Sequence, residues 1–322
     1  MKRRQLLRGA ALAMSLAATG GAFAADAWPS RPITMVIPFP PGGTLDYVGR
    51  LLAQKLGDQL GQSVIVDNRA GGNGTIGASI VSRAPPDGYT LLFNASAFTT
   101  TPMTMKTPPY DVVKNFQPVA LVAKAPLALV VSSKLPITDV KSLVAYAKAN
   151  PGKMSFAIGS TASAGHLSTE LLKRAAGIDY LIVPYKGSSP AYQDLVGGQI
   201  DAFIDPILGT APFAKTGMLR VVAVTSKSRL ASMPDVPALA EAVPGYEFYS
   251  WYGVWGPARM PKEIAQRLNG EINKALAGDM KERLLAQGLL PAPGSIDDFA
   301  AFEQQDMAKS LKIINDGNIH AD

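Results

Sequence analysis

Apolar runs with β-branched residues alternate with segments of helical period along most of the chain. Ile33–Phe39 (ITMVIPF) reads as a first strand and is followed by Pro40-Pro41-Gly42-Gly43-Thr44. Leu45, Val48, Leu52, Leu56 and Leu60 then recur at three- and four-residue steps, which predicts an amphipathic helix closed by Gly61. Ser63–Val66 and Tyr89–Ala95 are the next strands, and between them a glycine-rich loop over Gly71–Gly77 opens a helix over Ala78–Arg83. The unit recurs further on. Met154–Ile158 is a strand, Gly159–Gly165 (GSTASAG) a small polar loop, and His166–Ala176 a helix ending at Gly177. Tyr180–Tyr185, Ile200–Ile204 and Leu219–Thr225 read as strands, with a helix over Ser188–Val196 for which Ser189-Pro190 is the expected N-cap and first-turn pair. Alternation at this spacing predicts an α/β protein with mostly parallel sheets flanked by helices.

Two segments break the alternation and read as crossings between two lobes. Pro118–Ser133 is a long apolar stretch expected to break at Ala125-Pro126, and Phe248–Pro257 (FYSWYGVWGP) is an aromatic strand. Afterwards Ile264, Leu268, Ile272 and Leu276 mark one helix, and Phe299, Phe302 and Leu311 a last one. Two crossings make one lobe discontinuous: residues 25–125 with 251–322 form the first, and 126–250 the second. A length of 322 residues suits two domains of ordinary size.

Residues 1–24 stand apart. Lys2, Arg3, Arg4 and Arg8 precede a short apolar run that ends in Ala22-Phe23-Ala24, the pattern of a cleavable export signal. Arg3-Arg4-Gln5-Leu6-Leu7 leaves the Sec and twin-arginine routes both open. Without this leader the net charge falls from +6 to +2, so the basic balance belongs largely to the tag and gives little reason to expect a nucleic-acid partner. No later stretch approaches an 18-residue apolar run, and the expected location is the periplasm. With no cysteine and only His166 and His320, thiolate and multi-histidine metal sites are excluded, and no metal or cofactor is expected.

Candidate chemistry lies at strand ends. The loops Pro38–Asp46 and Gly159–Gly165 each fall between the carboxyl end of a strand and a helix start, where open α/β sheets bind ligands. Helix-start amides favour an anion, and glycine lets it approach the backbone. Lys186, at a third strand end, offers a cation. Asp46 belongs to a first helical turn, where it either complements the helix dipole or meets a ligand donor; Asp205 either caps a turn before Pro206 or faces the site. Gly72–Gly77 matches G-x-G-x-x-G, but the acid that a dinucleotide's ribose needs is replaced near the next strand end by Asn94, so a glycine-rich helix start is expected instead. Ser160 or Ser163 with His166 gives the alternative of an exported serine hydrolase, although no G-x-S-x-G elbow is present.

The stretches PFPPGGTLD (38–46), DNRAGGNGTIGA (67–78), PDGYTLLF (86–93), VPYKGSSPAYQDLVGGQID (183–201), LRVVAVTS (219–226) and MPDVPALAEA (233–242) resemble the Bug receptors, the extracytoplasmic solute-binding proteins of tripartite tricarboxylate transporters. The likeness runs through nearly all of the chain beyond the leader. It implies a two-lobed type II periplasmic-binding-protein fold with the ligand cleft between lobes, no enzymatic activity, a small organic carboxylate as ligand, and hand-over to permease subunits in the membrane. Carried over, it points to Phe39, Gly42, Gly43, Thr44, Asp46, Ala95 and Ser96 in the first lobe. In the second it points to Thr161, Ser163, His166, Lys186, Gly187 and Asp205. Where many relatives have an Asn-Gly-Thr-Ser type sequence before the histidine, this chain has Thr161-Ala162-Ser163-Ala164-Gly165. The small residues there, with Tyr47, Phe93 and Phe98 nearby in sequence, give an expectation of room for a ring. A monomer is expected, since no interface signal stands out.

Overall fold

The computed structural model describes residues 28–321, so the expected leader lies outside the described residues. From Arg31 onward the chain forms one compact unit. Its sheet begins with β1 (Ile33–Ile37), α1 (Thr44–Leu60), β2 (Val64–Asn68), α2 (Thr75–Ser82) and β3 (Thr90–Ala95). β1 lies between β2 and β3 and runs parallel to both. The leucine stripe of α1 is buried against this sheet. Gly61 ends the helix at φ 67° and ψ 17°, a left-handed conformation that a side chain would strain.

β4 (Phe116–Ser132) is followed by α3 (Val140–Ala149), β5 (Ser155–Ile158), α4 (Ala164–Ala175), β6 (Leu181–Pro184), α5 (Ser188–Gly197), β7 (Ala202–Pro206), α6 (Ile207–Lys215) and β8 (Leu219–Val224). β5 is parallel to β6 and β7. The chain returns through β9 (Tyr249–Pro257) and closes with α7 (Lys262–Ala277), α8 (Asp279–Ala286), β10 (Leu290–Pro291) and α9 (Ile296–Gly317). Among the described residues, every antiparallel pair of named strands involves β4 or β9, the two segments whose pattern marked them as crossings.

β4 is one strand of 17 residues rather than the broken segment expected at Ala125-Pro126. Residues up to Pro126 pair with β9, and from Leu127 onward the partners are β7 and β8. Pro126, which has no N–H to give, thus sits at the change of partner instead of interrupting a ladder. The buried Thr225 knits this junction. Its hydroxyl accepts from Leu127 N (2.8 Å) and donates to Phe248 O (2.7 Å).

Some boundaries differ from the sequence reading. α2 starts at Thr75 and α4 at Ala164, each earlier than the apolar period suggests, because polar and small residues fill their first turns. α5 is N-capped by Gly187, so Ser189 is within the first turn and not its cap. Pro190 is tolerated there because first-turn amides have no acceptor inside the helix. α3, α6 and α8 lie where the sequence pattern assigned no element; α6 carries Gly209 and Pro212 within nine residues, which hides its period.

Several apolar clusters are packed among the described residues. One surrounds Leu129, Phe156, Leu167 and Tyr246, and another Tyr192, Phe203 and Val224. A third is aromatic: Phe98, Tyr110, Phe116, Trp251, Trp255 and Phe299 pack beneath the first half of the sheet. The indole N–H groups of Trp251 and Trp255 donate to Asp306 (2.9 Å) and Glu303 (2.8 Å), which fastens α9 to the returning strand.

Candidate functional site

The carboxyl ends of β1, β5, β6 and β7 and the helix starts that follow them face a cleft of about 490 Å³ between the two halves of the sheet. Phe39, Gly43, Thr44, Asp46, Ala95 and Ser96 line it from one side, and Ser163, Lys186, Gly187 and Asp205 from the other. The structure thus brings together ten of the thirteen residues that the sequence singled out. The cleft is also lined by Ser160, Ser188 and Ser189, by Ser250 and Tyr252 from β9, and by an apolar set that includes Pro40, Pro41, Leu45, Pro190 and Pro206.

Gly42, Thr161 and His166 lie outside that lining, and each has a different task. Gly42 turns the loop at φ 95°, and its N–H donates to Asp46 Oδ2 (3.0 Å). Thr161 offers its carbonyl to the Asn73 amide (3.0 Å), which also donates to Thr101 Oγ1 (3.2 Å). Close by, Thr100 Oγ1 donates to the carbonyl of Ala162 (2.7 Å). These bonds tie the Gly159–Gly165 loop to the opposite half, and Ala162, fully buried, holds φ 59° within it.

The His166 ring is turned into the protein. Its Nδ1 accepts from Ala162 N–H (3.2 Å), and burial pushes its pKa down to about 4, so the ring is neutral. Ser163 Oγ, for its part, accepts from the backbone N–H of His166 as the N-cap of α4 (3.2 Å). The Ser163–His166 pair of the hydrolase alternative is therefore not assembled.

Asp46 is committed to the loop. Burial raises its pKa, but the hydrogen bonds from Arg50 Nε (2.9 Å), Gly42 N and Asn68 Nδ2 (3.0 Å) outweigh that and hold it below the ordinary aspartate value. Asn68 also donates to Phe39 O (3.0 Å), so one amide braces both ends of the proline–glycine turn. The like-charge repulsion that Asp46 would exert on an anion is thereby offset by Arg50.

Asp205 is the opposite case. It is not a turn cap: it lies inside β7, where Ser188 Oγ (3.0 Å) and Tyr192 OH (2.9 Å) donate to its two oxygens. Burial raises its pKa to about 7 against the smaller opposing effect of these donors.

The rings named from sequence fall elsewhere. Phe93 and Phe98 are core residues, and Tyr47 is exposed outside the cleft. The expectation of room for a ring loses that support, since Phe39 and Tyr252 supply the aromatic walls. Gly77 shows why the glycine-rich helix start needs small residues. A methyl there would stand 2.9 Å from Arg69 O and 2.7 Å from the Pro38 side chain. Among the described residues, no cluster of side chains suits a metal ion, and no helix is long and apolar enough to cross a membrane.

Two α/β halves joined by crossing strands, with strand ends and helix starts facing a central cleft, define a type II periplasmic-binding-protein architecture. The family model described as tripartite tricarboxylate transporter family receptor (TctC) matches residues 48–319, and the chain belongs to that family. Protein BugT of Bordetella pertussis is 35% identical, with 98% of each chain covered. The structure of R. palustris Rpa4515 with adipate is similar at a TM-score of 0.85 and 37% identity, covering 91% of this chain and 99% of that one. MatC of Rhodopseudomonas palustris with bound malate follows at 0.79 and 29%, covering 89% and 100%.

Proposed function

We propose that this chain is a periplasmic solute-binding receptor that captures a small organic carboxylate in the cleft and delivers it to the membrane permease of a tripartite transporter. The observation that carries this reading is the pair of helix starts on opposite walls. α1 and α5 both begin at glycine N-caps with no side-chain cap, so their first-turn amides and the positive ends of their dipoles face the cleft. Lys186 supplies the formal cation between them. Adipate and malate in the related structures support a carboxylate of this size.

In this reading residues 1–24 are the export signal, by the Sec or twin-arginine route, and the receptor acts as a monomer without catalysis. The lobes are 25–125 with 251–322, and 126–250. They close about Ala125–Leu127 and Phe248–Ser250, where β4 changes partners and Thr225 holds the strands together. A ligand touching both walls stabilises the closed form, which a permease can recognise.

Thermal unfolding of the purified protein against citrate, succinate, glutamate, nicotinate, benzoate and terephthalate, with the neutral amides as controls, tests the reading. A ligand at 100 times its dissociation constant adds about 2.7 kcal/mol to stability. The expected result is a raised midpoint with at least one carboxylate and none with its amide. A shift with neutral compounds alone, or with no carboxylate, overturns it.

A further inference from the structure

A receptor that takes up anions has a carboxyl group built into its binding wall without a cation to balance it. Among the described residues, no lysine, arginine or histidine nitrogen forms an ion pair with Asp205, whereas Asp46 on the other wall has Arg50. The groups around Asp205 are accounted for element by element. α5 presents Ser188 and Tyr192, both neutral donors, and burial together with Asp205 itself raises the Tyr192 phenol well above its ordinary pKa. α6 contributes Gly209 and Thr210, the latter hydrogen-bonded to the Tyr192 hydroxyl (2.9 Å). β4 places Ala128 opposite Asp205 in the ladder, and β5 pairs with β7 through Phe156 and Ala157. α4 packs on the same strand, and its His166 is neutral and turned to Ala162. Tyr252 of β9 is a phenol kept neutral by burial. Lys186 lies on the same wall beside Gly187 and Ser188, and the arginine-paired Asp46 stands across the cleft.

We propose that Asp205 makes ligand capture proton-coupled: a carboxylate enters the cleft together with one proton, which Asp205 takes up and donates back to the bound anion as a hydrogen bond. This rests on the carboxylate reading of the cleft. Two carboxylates confined to one water-poor site repel strongly enough that one of them takes a proton. Ser188 and Tyr192 each give a single hydrogen bond to Asp205, leaving a lone pair for the proton, which the ligand oxygen then accepts as a hydrogen bond. Lys186 and the uncapped helix starts stabilise the ligand's charge, so the proton goes to the buried wall carboxyl. Burial already raises the pKa of that group to about 7. The chemistry selected is a carboxylate with an acceptor atom directed at β7, and capture strengthens as the medium becomes more acidic.

The test is isothermal titration of the full chain with each of the six carboxylates above, at pH 6 and pH 8, in two buffers of different ionisation enthalpy. The expected result at pH 8 is uptake of close to one proton per carboxylate bound, with affinity falling by roughly tenfold for each pH unit above the midpoint of Asp205. Asp205→Asn, which keeps the shape and the acceptor, should bind with no proton uptake and with affinity that does not change between the two pH values. Ser188→Ala serves if that variant does not fold. Losing a donor that favours the ionised form should move the uptake window to higher pH. Binding of a carboxylate without proton uptake in the unaltered protein, or uptake that persists in Asp205→Asn, overturns the inference and leaves the receptor reading intact. Failure of all six carboxylates to bind overturns both.

Discussion

Gly165→Ala probes how the second wall of the cleft is positioned. Gly165 is the second residue of α4, and a methyl added there would lie 2.4 Å from Ile204 O on the neighbouring strand β7. Ordinary contact begins near 3.4 Å, so the helix start and the strand must part by about 1 Å. The atom met is a backbone oxygen held in a central strand, and no side-chain rotation relieves the clash. Overpacking of this kind costs about 1–3 kcal/mol. The displacement also moves Ser163 and Ala164, which line the cleft, away from Asp205 on β7. Urea unfolding should show the loss of stability, and titration with the carboxylate that binds the parent protein should show affinity weakened roughly tenfold, equivalent to about 1.4 kcal/mol. Gly270→Ala is the control. It lies inside α7 with open space around it, and exchanging helical glycine for alanine there should stabilise by about 0.5–1 kcal/mol. Parent-like stability and affinity in Gly165→Ala would refute the idea that close helix–strand approach sets this wall.

Three further outcomes follow from the same contacts. Glu303 has its pKa raised to about 7, chiefly by burial and further by Asp306, so the stability linked to its neutral form is complete in acid and is lost as pH rises through 7. Glu303→Gln, which keeps an acceptor for Trp255, should therefore gain up to about 3 kcal/mol at pH 8 and nothing at pH 4 by chemical unfolding. Asp46→Asn should be less stable by about 1 kcal/mol at pH 7. The lowered pKa of Asp46 means that its contribution is fully present above the ordinary aspartate value and is lost as pH falls through the lowered one, so the difference between the two proteins should shrink steadily in acid. Thr100→Val leaves the buried Ala162 carbonyl without its donor, at about 1–2 kcal/mol. Hydrogen exchange should then speed up in residues 159–165 while β1 is unchanged; equal exchange throughout would show that this bond does not hold the loop.

The parts of the fold that rest on a repeating local pattern were legible in the chain. The leucine stripe of α1, the apolar run of β1 and the two long crossings could be placed because burial imposes period on sequence. α6 was hidden because Gly209 and Pro212 look like a loop until Thr210 and Ile207 are seen packed against the sheet. Most of the site was legible because strand ends followed by glycine and small polar residues are a local signal. What escaped was the direction in which each side chain turns. His166 and Asp205 read alike as polar residues near a cleft, yet one is turned inward to a backbone amide and the other lines the cavity. Ser250 gives no signal within its aromatic strand, and only the packing of β9 between β3 and β4 brings it to the cleft beside Tyr252. The cross-cleft bond from Asn73 to Thr161 joins residues 88 apart and has no local signature.

The most direct measurement is a crystal structure of the protein with the carboxylate that most raises its unfolding temperature. The expected result is an anion in the central cleft, its oxygens on the first-turn amides of α1 at Gly43–Thr44 and of α5 at Gly187–Ser188, with both halves in contact. An anion seated instead in the groove beside Lys124 and Phe302, or held by one half alone, would contradict capture between the two walls.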